Sequence, residues 1–195
     1  MSAVAADLLD RIRAVALDEF AERGYHAATL ASIAARAGTS KQNVLYHFGS
    51  KQTVLAAALE PLLAAIDRFD AEFAAGRVGD PARAAVDLLL EHDRAIGLVL
   101  FHFAGLPDHT VAERAMQVFD RIAGEIVPDD PLGSMRFTIA MSGFAYVTVA
   151  KGIDRGLGVG REALSAALDD PDTAAELLRG MLGLAAPARL EKETV

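Results

Sequence analysis

Apolar positions return every fourth residue from about 5 to 23, at Ile12, Ala16 and Phe20, which predicts an amphipathic helix with Asp10, Arg13 and Glu19 turned to water. Gly24 ends it. Behind Thr29, a side chain suited to capping a helix N-terminus, a second stripe runs through Leu30, Ile33, Ala34 and Ala37 and stops at Gly38. Ser40 is placed to cap a third helix over 41–48, in which Val44 and Phe48 lie one turn apart on the buried side. A fourth helix opens at Ser50 or Lys51 with Val54, Leu55, Ala58 and Leu62 as its inner stripe. Pro61 falls inside that stripe and lacks a backbone donor, so it should kink the helix or interrupt it near Ala57, leaving two short helices in the second case.

The glycines of 75–81 mark a loop, with Asp80 as a cap and Pro81 at the first position of a helix that runs to about Phe103. After a break at 105–108, a helix over 109–126 carries Val111, Ala115, Val118, Phe119 and Ile122. Residues 128–131, Pro-Asp-Asp-Pro, form a turn, and 132–153 is apolar nearly all round, as in a helix buried on most sides. A glycine-rich connection over 152–160 and a short helix over 161–168 follow. A last helix, 173–185, has Ala174, Leu177, Leu178, Met181, Leu182 and Ala185 as its stripe, and 188–195 reads as a disordered charged tail. No strand-length alternation occurs, so the fold class is all-α.

Charge divides this helical chain. Residues 1–52 carry six Lys or Arg against five acids, whereas the other 143 carry thirteen against 22. No Asp or Glu stands between Glu22 and Glu60, a window that holds Arg23, Arg36, Lys41 and Lys51. In a chain of net charge -8, this is where a polyanion would dock. The third helix then presents Lys41, Gln42 and Leu45 on one outward face with Asn43, Tyr46 and His47 beside it. A two-turn helix of that chemistry, held by a partner across a glycine-bearing turn, suits the major groove of DNA. Lys41 is suited to guanine, Gln42 to adenine and Leu45 to a thymine methyl.

The run Thr29-Leu30-x-x-Ile33-Ala34-x-x-Ala37-Gly38-x-Ser40-Lys41-x-x-Val44-x-Tyr46-His47-Phe48-x-x-Lys51, preceded by Ala16-x-x-x-Phe20-x-x-x-Gly24-Tyr25, resembles the N-terminal domain of TetR-family transcriptional regulators. The resemblance covers about the first 55 residues. It implies a three-helix DNA-binding domain over 1–52, with the helix-turn-helix at about 29–48, followed over 53–187 by a helical effector-binding and dimerisation domain. It further implies that Thr29, Asn43, Tyr46, His47 and Lys51 touch phosphates, and that two helices per subunit, at about 132–153 and 173–185, pair into a four-helix bundle. Ser40 caps its helix and is placed to touch phosphate as well. The family often carries an aromatic where Leu45 stands.

The expected function is that of a sequence-specific regulator, a repressor released from an inverted-repeat operator by a small apolar effector. An activator of the same fold, or a helical protein-binding module using the basic face, is the alternative. Phe101, His102, Phe103, Met116, Phe119, Met141, Phe144 and Tyr146 supply the aromatic and polarizable surface of an effector pocket, or plain core. Catalysis is not expected. There is no Cys, and Glu91, His92 and Asp93 with His102 or His109 do not make a metal site: on one continuous helix His92 and His102 would point about 80° apart. The glycines of 152–160 lack the Lys-Ser/Thr ending of a phosphate loop, so no cofactor is expected. Without a signal peptide or a membrane-length apolar run, the expected location is the cytoplasm.

Overall fold

A computed structural model describes residues 3–126, 132–150 and 170–182, and every element in them is helical. In chain order these are α1 (Ala3–Ala27), α2 (Leu30–Arg36), α3 (Lys41–Phe48), α4 (Lys51–Ala74), α5 (Pro81–Glu91), α6 (Asp93–His102), a single 3-10 turn (Phe103–Gly105), α7 (Thr110–Ile126), α8 (Gly133–Ala150) and α9 (Pro171–Leu182). The turn expected at 128–131, the connection at 152–160, the short helix at 161–168 and the tail at 188–195 lie outside the described residues.

The described residues fall into two compact units, one drawn from 1–67 and 92–118, the other from 68–91 and 119–195. In the first, Ile12, Ala16 and Phe20 of α1 are fully buried with Ile33 of α2 and Val44 of α3. Burying the isoleucine, phenylalanine and valine side chains among these contributes about 1.5–3 kcal/mol each, enough to hold two helices that are individually too short to persist in water. The expected stripe of α1 is therefore correct, but one of its outward residues is not. Glu19 is 0% exposed, drawn inward by arginines described below.

Gly24 interrupts α1 with φ +75°, as its place in the sequence suggested, and a side chain there would also meet the ring of His102, whose Nδ1 lies 3.1 Å from where a Cβ would stand. That ring belongs to α6, which packs along α1, and His102 Nε2 lies 3.2 Å from the carbonyl oxygen of Ala21. The helix expected from Pro81 to Phe103 is in fact two, broken at His92 (φ -116°, ψ 25°). The reason is a change of buried side: α5 buries Val86 and Leu89, α6 buries Ala95 and Leu98, and on one straight helix Leu89 and Leu98 would face about 180° apart. Pro61 interrupts nothing. α4 runs through it from Lys51 to Ala74, with Pro61 exposed, so the two-short-helix alternative falls.

In the second unit α9 packs against α5 and α8. Ala174, Ala175 and Leu178 of α9 are fully buried, and α8 buries Phe137, Ala140, Met141, Phe144 and Ala145. Asp80 accepts the Arg83 backbone N–H at 3.2 Å, capping α5 ahead of Pro81, and takes Arg179 Nη2 of α9 at 2.5 Å. Against the desolvation of its carboxyl, Arg179 and the Arg83 amide hold Asp80 below its ordinary pKa. Among the described residues no single helix is long and apolar enough to cross a membrane.

Candidate nucleic-acid interface

The reading helix is built by caps and one glycine. Thr29 Oγ1 accepts the Ser32 N–H at 3.0 Å while Ser32 Oγ accepts the Thr29 N–H at 3.2 Å, a reciprocal box that starts α2. At the other end Gly38 takes φ +67°, which lets Thr39 N–H reach the Ala34 carbonyl at 2.9 Å and Gly38 N–H the Ala35 carbonyl at 3.2 Å. Arg11 of α1 adds its guanidinium to the Ala37 carbonyl at 3.0 Å, a cation at the negative end of α2. The chain then turns into α3, where Ser40 Oγ accepts the Asn43 N–H at 3.1 Å, and α3 closes at Gly49, whose N–H reaches the Leu45 carbonyl at 2.8 Å.

Pinned by Val44, α3 turns Lys41, Gln42, Leu45, Tyr46 and His47 outward. Tyr46 is 83% exposed, too open for a core residue, and the His47 ring stands edge-on to it at 5.0 Å. Thr29 and Ser40 are exposed at the helix starts. Asn43 is half-buried and gives one amide N–H to Thr39 Oγ1 at 2.9 Å, a tie across the turn. Lys51 stands at the first position of α4, its Nζ 4.4 Å from the centroid of the Tyr25 ring and donating to the His26 carbonyl at 3.3 Å. Burial holds the Lys51 ammonium below the ordinary lysine range.

The acid-free window of the sequence is not acid-free in space. Arg36 Nη1 donates to Glu19 at 2.6 Å and to Glu22 at 3.1 Å, and its other terminal nitrogen lies 3.9 Å from Asp18. Arg23 Nε lies 3.2 Å from the second oxygen of Glu19. The Ser32 hydroxyl beside it lowers the Glu19 pKa, burial opposes, and Arg36 and Arg23 add to the lowering. Two of the four cations of the window are thus neutralised from α1. Among the described residues no carboxylate lies within ion-pair distance of Lys41 or Lys51.

The eight pocket candidates are divided between the units. In the first, Phe101, Phe103 and Met116 are partly exposed, the Phe103 ring stacks on His109 at 4.3 Å, and His102 is engaged on α1. In the second, Met141 and Phe144 are buried, Phe119 meets Phe137 edge-on at 5.7 Å, and Tyr146 is exposed. No group of three His, Asp or Glu among the described residues is arranged to hold a metal. Sequence reasoning missed Arg11 at the end of α2 and the Tyr25–His26 seat of Lys51, because both depend on α1 folding back beside helices that follow it.

Residues 12–58 match the family model described as bacterial regulatory proteins, tetR family. The HTH-type transcriptional regulator RutR of Escherichia coli is 44% identical over 52 residues, 27% of this chain, and the match spans about a quarter (24%) of that protein's length. Over nearly the whole chain the fold is similar to two solved structures from a Rhodococcus species. A TetR-like transcriptional regulator covers 89% of this chain and 92% of its own with TM-score 0.61 at 16% identity. A second transcriptional regulator covers 90% and 94% with TM-score 0.54 at 23% identity. Within residues 12–58, where the helix-turn-helix is capped, turned and packed as described, the match is to the tetR family of bacterial regulatory proteins.

Proposed function

We propose that the chain is a dimeric repressor that reads an inverted-repeat DNA operator with α3 and leaves it when a small apolar effector binds. The outward face of α3 carries this reading: Lys41, Gln42, Leu45, Tyr46 and His47 are exposed together, without a carboxylate, on a helix held at both ends. On that helix Lys41 suits the acceptors of guanine, Gln42 the paired donor and acceptor of adenine, and Leu45 a thymine methyl. Thr29, Ser40, Asn43, Tyr46, His47 and Lys51 surround these and fit phosphate contacts, which orient a protein without reading sequence. Residues 1–52 form the reading head, and 53–187 the effector and dimerisation part.

The outer faces of α8 and α9 support the dimer. Met135 and Ile139 lie four residues apart on α8, Leu177 and Met181 four apart on α9, and all four are about half exposed or more, Ile139 at 65%. Apolar side chains grouped on two neighbouring helices fit a self-complementary twofold interface, which would space two copies of α3 about 34 Å apart, one turn of DNA. For the effector, the buried Met141 and Phe144 with the Phe119–Phe137 pair form the apolar interior of the same unit.

Selection of random duplex DNA on the purified full chain tests the reading. The expected winner is an inverted repeat with half-sites about 10 base pairs apart, bound with a log–log salt slope of about -4 for the two unpaired lysines of each protomer. No enrichment, or a single unrepeated site, would contradict it. Equal operator affinity with and without a compound removes that compound as effector.

A further inference from the structure

We infer that Tyr25 is a positioning residue for DNA binding, its ring seating the Lys51 ammonium so that the cation is presented to a phosphate at the start of α4. This rests on the DNA-binding reading above. Lys51 occupies a place that opposes a cation twice over: it is the first residue of a helix, where the dipole is positive, and it is half-buried. A flexible lysine with nothing to hold it there would swing into water. Instead Nζ lies 4.4 Å from the Tyr25 centroid and donates to the His26 carbonyl at 3.3 Å. The seat is itself fixed, because the Tyr25 ring stacks at 5.7 Å on Phe20, which is fully buried.

The chemistry of this seat differs from that around Arg36. A carboxylate neutralises a cation and competes with phosphate for it, as Glu19 and Glu22 do for Arg36. A ring face and a carbonyl oxygen attract an ammonium but leave its net charge in place. Of the three ammonium donors the His26 carbonyl takes one, so a phosphate oxygen can accept another without displacing either neighbour. The cation is therefore held in position while remaining able to bind an anion.

The test compares full-length Tyr25→Leu, Tyr25→Phe, Lys51→Ala and the double variant Tyr25→Leu/Lys51→Ala on the selected operator over a range of salt. Tyr25→Leu should weaken binding about 3- to 10-fold, uniformly across operator sequences, and Tyr25→Phe, which keeps the ring face, should bind like the wild type. Lys51→Ala should lower the salt slope by about 1 per protomer, and Tyr25→Leu should cause no further loss in that background. An equal loss with and without Lys51, or a Tyr25→Phe as weak as Tyr25→Leu, would overturn the role. If Tyr25→Leu does not fold, wild-type NMR decides: the Lys51 ε-methylene protons should be shifted upfield by the Tyr25 ring, and random-coil shifts would overturn the seat. A wild-type chain that binds no DNA would instead remove the DNA reading itself, and this role with it.

Discussion

The outer face of α3 and the outer faces of α8 and α9 are both open to solvent, for opposite chemical reasons. On α3 the exposed side chains carry donors, acceptors and a lysine without a carboxylate partner, and only Leu45 is aliphatic. On α8 and α9 the exposed residues include Met135, Ile139, Leu177 and Met181, which have nothing to offer water. Polar exposure on a helix needs no explanation unless, as here, the carboxylates that usually accompany it are missing. Apolar exposure on two adjacent helices does need one, and in the dimer proposed above a second copy of the chain would supply it. One face suits a polyanion, the other a like surface.

Breaking the apolar face should have the largest effect. Ile139→Asp places a charge in the proposed interface at a position exposed enough to spare the fold. The chain should become monomeric by sedimentation and lose roughly 100-fold or more in operator affinity, because the second half-site no longer binds as part of the same molecule. An unchanged dimer would detach α8 from the interface. Next in size, Gln42→Ala should cost about 5- to 150-fold on the preferred operator and relax the preference at one base position, read by competition among single-base operator variants.

The paired cations behind α3 sharpen the contrast through pH. The Glu19 pKa is lowered in the folded chain, so its contribution to stability is present above the ordinary carboxylate value and is lost as pH falls through the depressed folded value. Glu19→Gln should lower the unfolding midpoint by a few degrees near neutrality, and the gap to wild type should close in acid. A constant gap at every pH would mean that packing alone explains the loss. The smallest effect belongs to Ser40→Ala, which removes the cap of α3 and should cost about 1 kcal/mol in chemical unfolding.

The helix-turn-helix was legible because its signals are local. Thr29, Gly38, Ser40 and Gly49 each act on backbone groups within a few residues, and each does what its side chain, or lack of one, dictates. What the sequence hid depends on distant chain. The window between Glu22 and Glu60 looked free of acids until α1 brought Asp18, Glu19 and Glu22 to Arg36. Glu19 looked solvated for the same reason. The break at His92 was written in the pattern, since the buried stripe changes side between Leu89 and Ala95, but counting apolar residues without following their phase concealed it. Pro61 does not end its helix, because an exposed proline removes one backbone bond without forcing an end to a helix held on its other side. The pocket candidates were the least legible, as aromatic residues fill cores and pockets alike.

In the proposed function α3 reads bases with one part of its face and grips phosphates with another. The most direct test titrates wild type, Lys41→Ala and Tyr46→Ala against a panel of operators with every single-base change. Lys41→Ala should lose discrimination at one guanine-bearing position, whereas Tyr46→Ala should weaken all operators by the same factor and leave their ranking intact. Uniform weakening by both, or an unchanged panel for both, would contradict it.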